Sequence, residues 1–204
     1  MFDSRLRPLI DPPLDRIAAR LVPFGVTADA LTMGGLAIGL LAIPALALEY
    51  YWLALLLILL NRLADGLDGA VARRTAPTDF GGFLDIVGDF LFYGAVVLGF
   101  ALARPETNAL PAAFLLLAFV GTGSSFLAFA ILAAKRGIAS SAERGPKAFY
   151  YLGGLTEGTE TILLFVLSCL VPGAFPVFAW IFGGLCLVTT LTRICEARRR
   201  FTAR

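Results

Sequence analysis

Histidine is absent from the 204-residue sequence, and charged residues make up only 16% of it. The lack of histidine excludes Ser-His-Asp and Cys-His catalysis and the usual histidine zinc sites. Cys169, Cys186 and Cys195 lie in apolar or terminal segments without metal-ligand spacing, so we expect them to be small apolar side chains. Any chemistry must therefore depend on carboxylates, arginine, lysine and metal ions.

Apolar residues dominate the rest of the chain. They make up 58% of it, and the mean hydropathy is +0.82, which is more apolar surface than one soluble domain can bury. Each crossing needs roughly 20 apolar residues as helix, so the length allows about six crossings and no separate soluble domain. We predict an all-α integral membrane protein with one membrane domain over 1–204. Its parts are a cytoplasmic juxtamembrane segment (1–28), a core of six transmembrane helices (29–197) and a basic tail (198–204).

The N-terminal segment carries acids, arginines and prolines, and it lacks the apolar stretch and cleavage site of a signal peptide. Within it, LDRIAARLVPF places Leu14, Ile17, Ala18 and Leu21 at helical spacing opposite charged residues. This pattern predicts a short amphipathic helix on the membrane surface. An ordinary flank held near lipid fits the sequence equally well.

Apolar stretches separated by polar or proline-containing breaks predict six transmembrane helices. The predicted ranges are 30–48, 51–73, 80–103, 109–134, 153–172 and 176–197. Of the 17 Lys and Arg residues, all but Arg104 fall in the N-terminal segment, the 62–74 region, the 135–147 loop or the C-terminal end of the chain from Arg193 onward. By the positive-inside rule, both termini and the turn after Arg73 are cytoplasmic, as expected for a multi-pass protein of the cell (inner) membrane.

Two aspartate pairs lie at the cytoplasmic ends of the second and third predicted helices. Asp65 and Asp68 share one helix face, Asp85 and Asp89 share another, and the short turn should fold the two helices antiparallel. Clustered carboxylates are costly to bury without a compensating cation. An all-oxygen set favours Mg²⁺, Mn²⁺ or Ca²⁺, and two bridged ions suit a displacement at phosphate. Arg73 could bind a further phosphate oxygen.

An alternative is that these acids pair with arginines at the water interface. Arg62, Arg73 and Arg74 are nearby in sequence, and we accept this interpretation for Asp79. It is weaker for the other four aspartates, because acids inside a membrane are costly and usually functional.

The stretch from 65 to 89 reads Asp-x-x-Asp-Gly-x-x-Ala-Arg and then Gly-x-x-x-Asp-x-x-x-Asp. The residues at the fixed positions are Asp65, Asp68, Gly69, Ala72, Arg73, Gly81, Asp85 and Asp89. This pattern resembles the signature of the CDP-alcohol phosphotransferase (CDP-alcohol phosphatidyltransferase) family. The turn between the two halves is slightly shorter than in the family pattern, and Thr78 and Phe80 still resemble the family's Thr-x-Phe-Gly lead-in.

The resemblance implies a transferase that moves a phosphatidyl group from CDP-diacylglycerol to the hydroxyl of an alcohol and releases CMP. It implies two ions, Mg²⁺ or Mn²⁺, held by Asp65, Asp68, Asp85 and Asp89. Asp89 would also be the catalytic base that takes the acceptor's proton. Members of this family work in the lipid bilayer and are commonly homodimers, so a homodimer is one expectation and nucleic acid is not an expected partner.

The resemblance also assigns residues that contact the CDP portion of the donor. In the motif region they are Gly69, Arg73 and Thr78. Before the first crossing, an element that resembles the family's Pro-Asn-x-x-Thr supplies Asp29, Ala30, Leu31 and Thr32.

The family places the acceptor beside residues 135–160. Here Lys135 and Arg136, with Arg144 and Lys147, could bind a phosphorylated acceptor, or could be positive-inside loop charges near anionic lipid.

The run GLTEGTET resembles a segment that carries acceptor-binding arginines in phosphatidylinositol-phosphate synthases. Gly158 and Thr161 stand at the comparable positions, which disfavours inositol phosphate and leaves the acceptor open. Glu157 and Glu160 either line a pocket for a neutral or cationic alcohol or cap the following helix, and we favour capping.

Two other functions fit parts of the sequence. One uses a soluble CDP-alcohol as donor and diacylglycerol as acceptor. The other is a divalent-cation transporter, which would need acids near helix centres and polar exits on both faces. The acids lie at predicted cytoplasmic helix ends and the far side is almost uncharged, so transport is the weaker interpretation.

Overall fold

A computed structural model describes residues 3–137 and 156–202, and these residues form helices and short connections with no strand. The α-helices are α1 (Asp3–Leu21), α2 (Ala28–Leu40), α3 (Ala42–Ala47), α4 (Tyr51–Thr75), α5 (Asp79–Ala103), α6 (Pro105–Lys135), α7 (Gly158–Leu170) and α8 (Phe175–Thr202). The all-α prediction is therefore confirmed for the described residues.

Four described segments are long and apolar enough to cross a membrane: Ala28–Ala47, Asp79–Ala103, Pro105–Lys135 and Pro172–Thr202. They correspond to four of the six predicted crossings. The other two predicted crossings fall on α4 and α7. α4 has the length, but Arg62, Asp65 and Asp68 interrupt its apolar stretch, whereas α7 has only 13 residues in the described part of the chain.

The N-terminal helix is longer than the sequence pattern predicts, and it continues through Pro8, Pro12 and Pro13. Each proline removes a hydrogen-bond donor from the helix, so tertiary packing must compensate. Leu14 and Ala18 supply that packing, because they are buried against Leu67, Ala70 and Val71 of α4. Part of the predicted amphipathic face therefore contacts protein, while Ile17 is exposed.

The last helix is also longer than predicted and includes most of the segment assigned to a basic tail. Arg200 forms an ion pair with Glu196 one turn earlier, which supports a helix. Phe201 packs on Phe129 of α6 at a ring-centre distance of 4.9 Å. These contacts hold the basic end of α8 against α6.

The opposite end of the bundle has an ion pair between the α3–α4 and α5–α6 connections. Arg104 donates to the Glu49 carboxylate at 2.6 and 3.1 Å, and the Tyr51 hydroxyl donates to it at 3.0 Å. The hydrogen bond from Arg104 lowers the pKa of Glu49 below its ordinary value. Arg104, the single Lys or Arg outside the basic segments of the sequence, is therefore paired locally with Glu49.

α2 packs against both α4 and α5, whereas the backbones of α4 and α5 hardly approach each other. Two glycines on α2 allow this. A Cβ on Gly35 would lie 2.7 Å from the Cβ of Ala64 on α4, and a Cβ on Gly39 would lie 2.6 Å from the Phe92 ring on α5. The two acid-bearing helices are therefore held by α2 and face each other across a groove.

Gly35→Ala should reduce stability, because the added methyl would force α2 away from α4. We expect a loss of about 1–3 kcal/mol in the free energy of unfolding, as for overpacking elsewhere, measured by thermal or denaturant unfolding in detergent. Gly34→Ala is the matched control, since nothing lies within 4 Å of its Cβ position. Equal stability of the two variants would contradict the proposed close packing.

Candidate metal and active site

The four predicted metal ligands form two layers across the groove between α4 and α5. Asp68 lies seven residues before the end of α4 and Asp85 six after the start of α5, or roughly 10 Å along each axis. Asp65 and Asp89 each lie ten residues from the same ends, or roughly 15 Å. The α4–α5 turn therefore places Asp68 opposite Asp85 and Asp65 opposite Asp89. The sequence predicts this juxtaposition of the two pairs.

Asp65, Asp68 and Asp85 form a cluster that could hold a metal ion. Each offers a carboxylate oxygen, and these oxygens all lie within 4.8 Å of one another. Oxygen ligands lie about 2.0–2.6 Å from Mg²⁺ or Ca²⁺, so two ligands of one ion are at most about 4–5 Å apart. Asp68 is buried, Asp65 half-buried and Asp85 exposed. The spacing and chemistry of the three carboxylates fit a hard divalent cation.

Thr32 of α2 fixes the buried member of this cluster. Its hydroxyl lies 2.6 Å from Asp68 Oδ2 and 3.1 Å from the carbonyl oxygen of Ala28. The shorter contact is to a carboxylate, which is the stronger acceptor. The Thr32 hydroxyl therefore donates its hydrogen bond to Asp68. A hydrogen bond of this kind orients a ligand for a metal ion.

Asp89 lines the same pocket but is held by different partners. Its Oδ1 accepts from Arg62 Nη1 at 2.9 Å, and its Oδ2 accepts from the Tyr93 hydroxyl at 3.2 Å. Arg62 also lies 3.5 Å from Asp65. The structure thus brings three of the four predicted ligands together and holds the fourth beside them through Arg62 and Tyr93.

The pocket between α2, α4 and α5 includes several residues that sequence reasoning left out of the chemistry. Its lining consists of Thr32, Gly35, Leu36, Asn61, Arg62, Asp65, Asp68, Asp85, Gly88 and Asp89. Two signals could have found some of them. Gly35 and Gly39 have the four-residue spacing of close helix packing, and Arg62 lies three residues before Asp65 on the same helix face.

Of the residues predicted to contact CDP, Thr32 lines this pocket, and the others lie around the neighbouring ends of α2, α4 and α5. Arg73 Nη2 pairs with Asp15 of α1 at 3.2 Å. Thr78 caps α5 by accepting from the Gly81 amide at 2.9 Å. Asp29 lies in the first turn of α2, and its Oδ1 is 3.2 Å from the position of a Cβ on Gly81. Although the turn between α4 and α5 is slightly short, α5 therefore still begins with a regular N-cap at Thr78.

The predicted CDP contacts Ala30, Leu31 and Gly69 occupy the ends of the same helices. The Ala30 amide donates to Thr27 and so helps to cap α2. Leu31 packs against the small cluster between α1 and α4. A Cβ on Gly69 would lie 3.5 Å from Arg73 Nη1, so the guanidinium of Arg73 rests close to this glycine.

The predicted acceptor residues Lys135 and Arg136 lie at the end of α6, outside the pocket lining. Arg136 donates to the carbonyl oxygens of Arg200 and Phe201 at 3.2 and 2.7 Å, so it caps α8. Arg144 and Lys147 lie outside the described residues.

Glu157 and Glu160 form a capping box at the start of α7. The Glu157 amide donates to the Glu160 carboxylate at 3.1 Å. This arrangement satisfies amides that the first helical turn leaves without partners. The capping interpretation of these two acids is therefore confirmed.

The chain is similar to a known protein family and to several known proteins. The family model described as CDP-alcohol phosphatidyltransferase matches residues 25–192. The protein named Inner membrane protein YnjF of Escherichia coli (strain K12) is 61% identical over 194 residues, covering 95% of this chain and 94% of that one. Archaetidylinositol phosphate synthase of Pyrococcus horikoshii is 29% identical over 198 residues, covering 97% of each chain.

The fold is shared with crystal structures of phosphatidylinositol phosphate synthase from Mycobacterium tuberculosis. The structure in complex with manganese and citrate has a TM-score of 0.69 at 22% identity and covers 89% of this chain and 87% of that one. The structure with CDP-DAG bound has a TM-score of 0.67 at 22% identity, covering 91% and 93%. At this level of identity the likeness establishes the fold.

Thr32→Val should weaken metal binding, because it keeps the side-chain shape but removes the hydrogen bond that orients Asp68. Loss of such a partner typically costs about 10- to 100-fold in metal affinity. The measurement is titration of the detergent-solubilised chain with Mn²⁺. Thr32→Ser, which keeps the hydroxyl, is the control. If Thr32→Val binds Mn²⁺ as tightly as the parent chain, the orienting role of Thr32 is wrong.

Proposed function

The chain belongs to the CDP-alcohol phosphatidyltransferase family, and from this membership we propose that it moves a phosphatidyl group from CDP-diacylglycerol to the hydroxyl of an alcohol and releases CMP. The observation that carries the proposal is the cluster of Asp65, Asp68 and Asp85 within 4.8 Å, with Asp89 in the same pocket. This arrangement offers metal ligands and a base on the two walls of one groove.

Asp65, Asp68, Asp85 and Asp89 are the proposed ligands of two divalent ions. An all-carboxylate set suits Mg²⁺ or Mn²⁺. When bound, such ions neutralise charge on the donor diphosphate and on the departing CMP. The buried Asp68 and its hydrogen bond from Thr32 supply the fixed part of the ligand set.

The proposed reaction is a displacement at the phosphorus that carries diacylglycerol. The oxygen of the acceptor hydroxyl bonds to that phosphorus, the bond from phosphorus to the bridging oxygen breaks, and its electron pair leaves with CMP. The hydroxyl proton goes to a carboxylate oxygen of Asp89. A carboxylate is a weak base toward an alcohol, so the hydroxyl must be held directly at this oxygen.

The proposed donor contacts lie at the cytoplasmic ends of α2, α4 and α5. Arg73 would bind a diphosphate oxygen once it leaves Asp15, since a phosphate is a better partner than one exposed carboxylate. Thr78, Gly69 and the start of α2, residues 29–32, would surround the rest of the CDP group. Lipid tails would then lie in the bilayer beside the groove, with the water-soluble nucleotide at its edge.

We propose that the chain crosses the inner membrane six times with both termini and the active site on the cytoplasmic side. α4 and α7 would be the crossings beyond the four apolar segments. The basic segments at the groove end of the bundle support this orientation. The 61% identical protein from Escherichia coli is named as an inner membrane protein.

The acceptor we propose is an alcohol other than inositol phosphate. Gly158 and Thr161 stand where arginines would recognise a phosphorylated acceptor. Among the described pocket residues Arg62 is the one cation, and it already bonds to Asp89. Lys135 remains a candidate for acceptor binding, whereas Arg136 would first have to leave its contacts with α8.

The direct test is product identification. The purified chain in vesicles receives labelled CDP-diacylglycerol, Mg²⁺ or Mn²⁺, and a panel of acceptor alcohols, and CMP release and the lipid product are followed. We expect metal-dependent CMP release with at least one alcohol. Product from a soluble CDP-alcohol and diacylglycerol instead would reverse the assignment of donor and acceptor. Ion flux without CMP release would favour a transporter.

Substitutions of Asp89 and of Asp68 should differ in their effects on donor binding and on transfer. Asp89→Asn should abolish transfer because the base is lost, but it should leave binding of the CDP-lipid largely intact because Asp65, Asp68 and Asp85 would still hold one ion. Asp68→Asn should weaken metal-dependent donor binding itself, because it removes a buried ligand. Donor binding and single-turnover transfer are the measurements. Equal binding defects in both variants would reject this division of roles.

Arg73→Gln should weaken donor binding more than Arg74→Gln. Both arginines lie in the last turn of α4 and both are exposed, but only Arg73 belongs to the motif. We expect a rise in the apparent KM for CDP-diacylglycerol of about tenfold, which corresponds to one charge-assisted hydrogen bond. Equal effects of the two substitutions would indicate a general contribution of positive charge rather than a specific contact.

A further inference from the structure

Arg62 lines the pocket between α2, α4 and α5 and is fixed by several partners. Its side chain is 17% exposed, and it lies thirteen residues before the end of α4, or roughly 20 Å along the axis. Nε and Nη2 donate to Asn61 Oδ1 at 2.8 and 2.5 Å, and the guanidinium lies 4.5 Å from the centre of the Phe92 ring. Arg62 is therefore the most deeply placed charge of the site, and it is held in one orientation.

Asn61 extends this network to α2. Its amide nitrogen donates to the carbonyl oxygen of Gly35 at 2.8 Å, and the residue is buried. Gly35 is the point of close contact between α2 and α4. The orientation of the Arg62 guanidinium thus depends on the close packing of α2 against α4 at Gly35.

Arg62 lies closer to Asp89 than to Asp65, which are the two acids nearest to it. Nη1 lies 2.9 Å from Asp89 and 3.5 Å from Asp65, and charge-assisted hydrogen bonds are about 2.7–2.9 Å long. Asp89 also accepts from Tyr93 through its other oxygen. Both oxygens of Asp89 are therefore engaged, whereas Asp65 offers an oxygen to the cluster with Asp68 and Asp85.

We propose that Arg62 is a positioning residue that competes with the second metal ion for Asp89. The first ion binds Asp65, Asp68 and Asp85 without disturbing Arg62. Asp89 becomes a ligand of a second ion only when its bond to Arg62 is given up. This inference rests on the metal site of the proposed function, but not on the transfer reaction or its acceptor.

The expected consequence is a pair of unequal metal-binding steps. The first step uses carboxylates that already face one another, and the second must replace a hydrogen-bonded ion pair. While Asp89 stays with Arg62 and Tyr93, its carboxylate keeps a fixed position on the α5 wall of the groove. Arg62 thereby controls whether Asp89 acts as a ligand or remains a separate carboxylate.

The test is Mn²⁺ binding to the detergent-solubilised full chain, followed through the electron paramagnetic resonance signal of the free ion. Arg62→Gln should tighten the weaker binding step about tenfold, the scale of one hydrogen bond to a charged group. The stronger step should change less. Arg62→Lys should lie between, because lysine keeps the charge but cannot bond to Asn61 and Asp89 in the same fork.

A double-mutant cycle separates competition for Asp89 from simple repulsion between Arg62 and the ions. In an Asp89→Asn background the carboxylate is gone, so the effect of Arg62→Gln should fall below about threefold. An equal effect in both backgrounds would overturn the proposal, as would unchanged or weaker Mn²⁺ binding by Arg62→Gln.

Thermal unfolding shows which variants are folded, and Arg62→Lys replaces Arg62→Gln in the cycle if the latter does not fold. Failure of this inference is distinguishable from failure of the proposed function. Two-step Mn²⁺ binding by the parent chain that Arg62 substitutions leave unchanged rejects only the competition. No Mn²⁺ binding by the parent chain rejects both.

Discussion

Charge among apolar helices must be compensated locally, and this constraint determines how the site is built. Asp68 has a hydrogen bond from Thr32, and Asp89 has Arg62 and Tyr93. The remaining repulsion is concentrated where Asp65, Asp68 and Asp85 converge. A divalent cation relieves that repulsion most directly, because each oxygen gains a ligand bond while the net negative charge falls.

The second requirement is a groove in which this charge can meet a substrate. α4 and α5 would close on each other if they packed directly, and the carboxylates would then face protein. α2 prevents this because Gly35 and Gly39 let it approach both helices. The same helix carries Thr32, so the element that separates the walls also orients the buried ligand. Packing and chemistry are therefore coupled through a few residues of α2.

The sequence predicts the main helices and the aspartates well because both leave strong local signals. Apolar stretches of membrane-spanning length mark α5, α6 and α8, and the spacing of the acids places them on single helix faces. Other features depend on tertiary contacts. α1 persists through its prolines because Leu14 and Ala18 are buried, and α8 extends because Phe201 packs on α6. The position of Arg62 three residues before Asp65 places it on the acid-bearing face of α4, but its bond to Asp89 joins two helices and has no local signal in the sequence.

The proposed site requires Asp65, Asp68 and Asp85 to bind a divalent metal ion. Anomalous X-ray scattering from crystals of the chain grown with Mn²⁺ tests it most directly, because the manganese signal locates the ion independently of any assay. We expect an anomalous peak within coordination distance of all three carboxylates. A well-ordered pocket with no peak there, or a peak bound only by other residues, would exclude metal binding by this cluster.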